Sequence, residues 1–334
     1  MTKVLVTGAA GFIGYHLSEL LLAEGVEVIG IDSHNDYYDP TLKSAREARL
    51  IEQPGYTGIK ARIETPDFLT GIFETHRPDY AVHLAAQAGV RYSISNPRAY
   101  LDANIAGTFE LLEAARAFPV KHLLLASTSS VYGANTDMPY RETDKVDTQM
   151  SFYAASKKAT EALAHSQSHL FDIPVTMFRF FTVYGPWGRP DMAPYLFTSA
   201  ILDGRPIKVF NHGNMMRDFT YVGDIVRGIR LLMDQTPVKG APVGPEDSLS
   251  PVAPWRVVNI GNGEPLPLME FITAIEAATG RQAVKEMMPM QPGDVPATWA
   301  DTTLLQKLTG YKPETSVPDG IRAYVDWFRD YYPA

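Results

Sequence analysis

The chain's 334 residues, 36.9 kDa in all, are 45% hydrophobic and 20% charged, which suits one large α/β unit or two domains and excludes a disordered or fibrous protein. With 30 Lys and Arg against 38 Asp and Glu the formal charge is -8 and no basic run appears, so nucleic acid is not an expected partner and an anionic substrate would need locally placed arginines. The absence of cysteine excludes disulfides, thiolate catalysis and zinc–cysteine sites, and no apolar stretch reaches the roughly 18 residues of a membrane span.

The first six residues run straight into an apolar β-type segment without the pattern of a secretory leader, which predicts a cytoplasmic protein. Strands are predicted over 4–6, 26–31, 80–84 and 122–126, with a helical pattern over 13–23 between the first two. Alternation of this kind, with strands that are nearly continuous apolar runs, predicts an α/β fold: a Rossmann-type doubly wound parallel sheet with helices on both faces. Further strands are expected over 174–181 and 257–260. After Tyr184 the texture changes to Gly185-Pro186-Trp187-Gly188-Arg189-Pro190, where a smaller C-terminal substrate-binding region begins. The expected division is residues 1–181, with a returning segment near 219–262, for the dinucleotide, and 182–218 with 263–334 for the substrate. Residues 236–254, rich in Pro, Gly and Ser, are expected as an exposed, mobile loop, and helices are expected over 268–279 and 321–328.

The turn after the first strand reads Thr7-Gly8-Ala9-Ala10-Gly11-Phe12-Ile13-Gly14 and opens a helix. Gly8 permits the tight turn, Gly11 lets the backbone approach a pyrophosphate, and Gly14 lets helix and strand pack closely. The anion would sit on the helix N-terminus, which makes Gly8, Gly11, Phe12, Ile13 and Gly14 candidate cofactor contacts. The second strand ends at Asp32, 18 residues beyond Gly14, where a carboxylate can accept both hydroxyls of an adenine ribose. Ser33, His34 and Asn35 follow it, with no arginine for a 2′-phosphate, so NAD is expected rather than NADP.

Tyr153 and Lys157 stand at i and i+4, on one helix face, where an ammonium lowers the pKa of a nearby phenol and makes it a base near neutral pH. Ser127-Thr128-Ser129-Ser130 directly follows a strand, so these hydroxyls lie at the carboxyl edge of the sheet, where one can hold a reacting oxygen. His165 and His169 are also i and i+4, but no glutamate accompanies them in the zincin arrangement and no metal is assigned. Tyr132, Tyr184, Trp187 and Phe210 read either as pocket lining or as core.

Taken together, Gly8-x-x-Gly11-x-x-Gly14, Thr128 and Tyr153-x-x-x-Lys157 resemble the extended short-chain dehydrogenase/reductase family of nucleotide-sugar epimerases, dehydratases and decarboxylases. His83-Leu84-Ala85-Ala86-Gln87, Asn104-x-x-Gly107-Thr108, Arg217-Asp218-Phe219 and residues 291–295 extend the resemblance to nearly the whole chain. It implies that Tyr153, Lys157 and Thr128 are catalytic, that Lys157 also holds the nicotinamide ribose, and that Ser129 adjoins the substrate. Dehydratases of the family carry an Asp-Glu pair after the threonine, and decarboxylases a Glu just before Val-Tyr-Gly. Ser129 and Ser130 stand here instead, so the general acid for loss of water is missing and epimerisation remains.

Residues 179–192 and Asn35-Asp36-Tyr37-Tyr38 resemble the UDP-glucuronate 4-epimerase branch, with Thr182 where UDP-galactose epimerases usually have Asn. By that resemblance Thr182 and Arg189 lie near the sugar carboxylate, which a guanidinium matches in two-pronged geometry; Arg217 meets the diphosphate and Asp294 the uridine ribose. A surface-loop arginine is the alternative reading of Arg189. The implied reaction interconverts UDP-glucuronate and UDP-galacturonate through a 4-keto sugar, in a homodimer formed by two helices from each subunit. Two departures stand out: Gln291 replaces a second phosphate-binding arginine of many relatives, and Arg62 an acidic residue that often contacts the adenine. The alternative functions are a UDP-glucose/UDP-galactose-type 4-epimerase and a catalytically silent NAD-binding regulator. Intact Tyr153, Lys157 and Thr128 argue against the second.

Overall fold

The structure is a computed structural model that describes residues 2–291 and 294–333; Pro292 and Gly293, part of the 291–295 match, lie outside the described residues. Its first strands are β1 (Lys3–Thr7), β2 (Glu27–Asp32), β3 (Tyr56–Lys60), β4 (Tyr80–His83), β5 (His122–Thr128), β6 (Val175–Phe180) and β7 (Thr182–Tyr184). There follow β8 (Ile207–Val209), β9 (Met216–Arg217), β10 (Phe219–Tyr221), β11 (Trp255–Ile260), β12 (Leu266–Pro267), β13 (Lys285–Met287) and β14 (Ala297–Thr298). The helices of the first half are α1 (Phe12–Ala23), α2 (Thr41–Ile51), α3 (Phe68–His76), α4 (Tyr92–Ser95), α5 (Pro97–Tyr100), α6 (Gly107–Ala117) and α7 (Phe152–Phe171). Those of the second half are α8 (Ala193–Leu202), α9 (Val222–Met233), α10 (Leu268–Thr279), α11 (Thr303–Thr309) and α12 (Val317–Tyr331).

β1 to β6 and β11 form one sheet in the order β11-β6-β5-β4-β1-β2-β3, every pair parallel. The winding reverses between β1 and β4, so the connections leave their carboxyl ends in opposite directions and a crevice opens there. The apolar runs account for the layers. Val4, Val6, Val82, Leu124, Phe178 and Val258 face Leu17 and Leu21 of α1 and Ile225, Ile229 and Leu232 of α9. Leu5, Ile29, Ala81, Leu123, Leu125 and Met177 face the other way, onto Leu69 and Phe73 of α3, Leu111 and Leu112 of α6 and Ala164 of α7. A strand apolar at every position is what a sheet covered on both faces requires.

The strand expected over 174–181 stops at Phe180. The chain then leaves the main sheet, and β7 pairs in parallel with β10 instead, Thr182 opposite Phe219 and Tyr184 opposite Tyr221. A third core joins Phe197 and Ile201 of α8, Phe271, Ile272 and Ile275 of α10 and Tyr324 and Phe328 of α12. The helix over 268–279 is found as α10. That over 321–328 lengthens to α12, because Ser316 caps it by accepting from Asp319 N and Pro318 suits its first turn. Leu304, Leu305 and Leu308 of α11 pack into the first core rather than the third.

Residues 236–254 hold no regular element, but the expected exposed loop is corrected in its second half. Asp247 and Arg256, both buried, join through two hydrogen bonds of 2.8 and 2.9 Å. His165 Nε2 meets Ser250 Oγ at 2.8 Å and His169 Nδ1 meets the Val252 carbonyl at 2.9 Å. Paired charge and hydrogen bonds fasten a segment whose composition offers little apolar area. No helix among the described residues is long and apolar enough to cross a membrane.

Candidate active site

A cleft of about 1250 Å³ opens at the carboxyl ends of β1 and β4 and extends to Phe197 and Ile207 of the third core. Every residue assigned a catalytic, cofactor or substrate role from the sequence lines it. Gly8, Gly11, Phe12, Ile13, Gly14 and Asp32 come from the first turn and β2, and Thr128, Ser129, Tyr153 and Lys157 from the edge of β5 and from α7. Thr182, Arg189, Arg217 and Asp294 come from the C-terminal segments.

At the first turn, Gly8 has a φ of +73°, and a Cβ there would meet Ala85 N at 2.8 Å. A Cβ on Gly14 would stand 2.0 Å from the Gly8 carbonyl oxygen, so only glycine lets α1 start against this turn. Gly11 caps α1 without a side-chain hydrogen bond, which leaves the first N–H groups of the helix unclaimed by a cap. Asp32, buried at the end of β2, accepts from His34 N at 2.8 Å. This cradle and carboxylate fit an adenine dinucleotide.

Two cations here were not anticipated. Lys43 Nζ lies 3.9 Å from Asp32 Oδ1 and donates to Asn35 Oδ1 at 2.6 Å. Arg46, fully buried, donates to the Ala10 carbonyl at 2.9 Å, the Tyr38 hydroxyl at 3.0 Å and the Trp187 carbonyl at 2.5 Å. It thereby ties the glycine turn to the loop that carries Arg189. The available signal was that Leu42, Lys43, Arg46 and Leu50 share one helical stripe, the stripe α2 buries. Arg62 donates to Glu64 Oε1 at 2.6 Å and both line the cleft, so the loop flagged for lacking an acidic residue holds one two positions on.

Tyr153 lies in the first turn of α7, whose N-cap Ser151 accepts from Ala154 N at 3.1 Å. Burial raises the Tyr153 phenol above its ordinary value; the Thr128 hydroxyl and then the Arg189 guanidinium draw it down. Burial pushes the Lys157 ammonium down to about 8, against the pull of Glu161 one turn further along α7. Thr128, last residue of β5, accepts from Ser130 N at 3.2 Å and caps the short 3₁₀ turn Ser129–Tyr132. Beneath it Glu161 accepts from Ser127 Oγ at 2.7 Å and from two nitrogens of buried Arg179 at 2.9 Å. Asn104, in the π-helical turn Leu101–Ala106, joins the Gln87 backbone at 2.8 and 3.1 Å to Ser156 Oγ at 2.9 Å, which fixes α7 against the loop after β4.

At the other end, Arg189 faces the cleft with about a fifth of its side chain exposed, so the surface-loop reading does not hold. Its Nε and Nη2 donate to Asp191 Oδ1 and Oδ2 at 2.9 and 2.5 Å, and the Tyr37 hydroxyl donates to the same Oδ2 at 2.9 Å. Arg217 donates to the carbonyls of Val295, Met216 and Pro296 at 2.7, 2.8 and 3.1 Å. Asp294 pairs at 3.1 Å with Arg91, a cleft residue with no sequence signal, whose guanidinium lies over the Phe210 ring. Of the four aromatics, Phe210 lines the cleft. Tyr132 and Tyr184 are core, and Trp187 packs on Trp327 and Tyr331. Among the described residues no three His, Asp or Glu are grouped as a metal site would need.

A tyrosine and a lysine at the carboxyl edge of a doubly wound sheet, opposite a glycine cradle, are the arrangement of a dinucleotide-dependent enzyme acting at a hydroxyl-bearing carbon. The chain belongs to the NAD dependent epimerase/dehydratase family, whose sequence profile matches residues 4–243. It is 50% identical over 333 residues to a probable UDP-glucuronate 4-epimerase of Rhizobium meliloti, covering 99% of this chain and 98% of that protein. The crystal structure of UDP-glucuronic acid 4-epimerase from Bacillus cereus with UDP-glucuronic acid and NAD is 33% identical, with a TM-score of 0.88 over 99% of this chain and 100% of that one. UDP-glucose 4-epimerase of Thermotoga maritima with UDP-glucose is 29% identical, with a TM-score of 0.85 over 99% of both.

Proposed function

We propose that this chain interconverts UDP-glucuronate and UDP-galacturonate by NAD-dependent epimerisation at C4, through a transient 4-keto sugar. The observation that carries the reading is Arg189, a cleft-facing guanidinium that already holds a carboxylate, that of Asp191, in two-pronged geometry. Likeness to UDP-glucuronate 4-epimerases across the whole chain supports the same sugar.

NAD, when bound, would supply the hydride acceptor and donor that inversion at C4 requires. Gly8, Gly11, Phe12, Ile13, Gly14, Asp32 and Lys157 would hold it. Tyr153 takes the proton of the 4-hydroxyl and later gives it back, while Thr128 hydrogen-bonds the same oxygen and Ser129 adjoins the sugar. The lone hydroxyls of Ser129 and Ser130 bring no general acid that would expel water. A 4-keto uronate is a β-keto acid, and it loses carbon dioxide when its carboxylate bond overlaps the carbonyl π system. Thr182 and Arg189 would hold the carboxylate in the sugar plane, where that overlap is poor, and Arg217 and Asp294 would take the diphosphate and uridine ribose.

In this reading residues 1–181 with 219–262 hold the cofactor, and 182–218 with 263–334 hold the UDP-sugar. The enzyme acts in the cytoplasm as a homodimer. Exposed Leu101, Phe109, Phe152 and Leu170 on the π-helical turn, α6 and α7 give those elements an unpartnered apolar face that a second copy would cover.

The test is to incubate the purified protein with UDP-glucuronate and, separately, with UDP-glucose, each with and without added NAD, and to resolve the products. UDP-galacturonate without a pentose from the first, and no product from the second, is expected. Activity on UDP-glucose alone would replace this reading by the UDP-glucose-type epimerase; turnover of neither would favour the silent regulator.

A further inference from the structure

Arg189 is engaged on two of its nitrogens by a carboxylate of its own loop, and the chain builds that pairing locally. In Arg189-Pro190-Asp191-Met192 the Met192 N–H returns to the Arg189 carbonyl at 3.3 Å, and Pro190 fixes the backbone at the second position of the turn. The two side chains are thus presented together at the cleft. Tyr37, from the segment after β2, holds Asp191 from the other side through its 2.9 Å hydrogen bond, and its ring lies under the Arg189 guanidinium at 5.9 Å. All three residues line the cleft.

Nε and Nη2 form one edge of the guanidinium, and one edge takes one carboxylate two-pronged at a time. A sugar carboxylate that is to use that edge must replace Asp191. The exchange swaps one carboxylate for another of the same charge and shape and leaves Asp191 with the Tyr37 hydroxyl. A neutral 6-hydroxymethyl group has nothing to exchange, since displacing Asp191 would leave a largely buried guanidinium without a counter-charge.

We propose that Asp191, held by Tyr37, is an internal carboxylate that competes with the sugar carboxylate for Arg189 and so sets how tightly 6-carboxylate sugars are held. This rests on the reading of the substrate as a UDP-uronate. Asp191 is on this account a specificity-determining residue: Arg189 is an exchangeable partner for the uronate and not a fixed clamp.

The test compares the parent enzyme with Asp191→Asn and Asp191→Glu, measuring kcat and KM for UDP-glucuronate and the inhibition constants of UDP-glucose and UDP. Asp191→Asn weakens the internal pair from charged to neutral and is expected to lower KM for UDP-glucuronate by about tenfold without raising kcat, because charged hydrogen bonds are roughly twice as strong as neutral ones. The inhibition constants of UDP-glucose and UDP stay within about twofold, and Asp191→Glu restores the parent KM. A KM that is unchanged or higher in Asp191→Asn overturns the proposal in favour of an orienting role. An equal fall in KM and in both inhibition constants overturns it in favour of a general charge effect. If Asp191→Asn does not fold, Tyr37→Phe carries the test, with KM expected to fall about threefold under the same controls and an unchanged KM overturning the idea. A parent enzyme inactive on UDP-glucuronate would sink the functional reading itself, a failure visible before any variant is made.

Discussion

Lys43 Nζ stands 3.9 Å from Asp32 Oδ1, so the carboxylate that would accept the adenine ribose hydroxyls has a buried cation beside it. The carboxylate repels a 2′-phosphate, whereas the ammonium would attract one. Asp32→Asn is therefore expected to weaken NAD by about ten- to hundredfold, the worth of one charge-assisted hydrogen bond, and to raise affinity for NADP relative to NAD. In Asp32→Asn combined with Lys43→Met the NADP gain should vanish. Calorimetric titration with both nucleotides decides this; a double variant that still favours NADP as much as the single one would remove Lys43 from the account.

Thr128 is the first group that draws the Tyr153 phenol down against its burial. Tyr153→Phe should lower kcat by about 10²- to 10⁴-fold, the usual worth of a positioned proton-transfer group, with NAD content unchanged. Thr128→Val should lower kcat and also move the acid limb of the pH–kcat profile to higher pH, because a phenol with a higher pKa becomes a base later. Thr128→Ser keeps the hydroxyl and should keep the parent limb. A Thr128→Val enzyme that is merely slower, with an unmoved profile, would confine Thr128 to the substrate oxygen.

The contrast between these two regions shows what a sequence can and cannot reveal. Gly8, Gly11 and Gly14 were legible because the constraint on each is its own backbone and its near neighbours, and Tyr153 with Lys157 because helical spacing places them together. Lys43 and Arg46 sit on a largely polar helix, where charge is ordinarily solvated and only their place in the Leu42–Leu50 stripe hints otherwise. Their burial depends on Asp32, on Ala10 and on Trp187, the last 141 positions away. Arg91 depends on Asp294 at a separation of 203. The same holds for the fold: the main strands carry apolar runs except β3, an edge strand reading Tyr56-Thr57-Gly58-Ile59-Lys60 that the sequence did not reveal, and β8, β9, β12, β13 and β14 have two or three residues each, too few for a period to register. The exposed-loop reading of 236–254 needs correcting only from Asp247 onward, because composition reports apolar area and not the Asp247–Arg256 pair that holds the end of the segment.

Removing the guanidinium tests the carboxylate pocket from the product side. Arg189→Ala leaves the C5–C6 bond that carries the carboxylate free to swing out of the carbonyl plane as the ring puckers, so the 4-keto intermediate should lose carbon dioxide more often. Separation of products is expected to show a higher ratio of UDP-pentose to UDP-galacturonate than in the parent, alongside a lower total rate. An unchanged ratio would mean that the carboxylate is held by something other than Arg189.

Stability against pH follows from four buried groups with opposed signs. Burial pushes His16 and His122 down to about 4 and His83 down to about 3, whereas it pushes the Glu142 carboxyl up to about 7 against the opposing Asn259 N–H. Unfolded, the histidines titrate near 6.5 and the glutamate near 4.5. Between these two values the unfolded chain binds up to three more protons at the histidines and the folded chain one more at Glu142, each proton changing stability by about 1.4 kcal/mol per pH unit. The histidines prevail, so stability climbs with pH to about 6.5; above that the Glu142 contribution alone remains and turns the curve down until about pH 7. Partly exposed His165 adds to the first sense and Asp218, also raised by burial, to the second. Glu142→Gln removes one downward contribution, so its advantage over the parent should grow from pH 4.5 to pH 7, to on the order of 3 kcal/mol. Urea unfolding of both proteins at intervals across that range tests this, and parallel curves would show that Glu142 holds no extra proton in the folded chain.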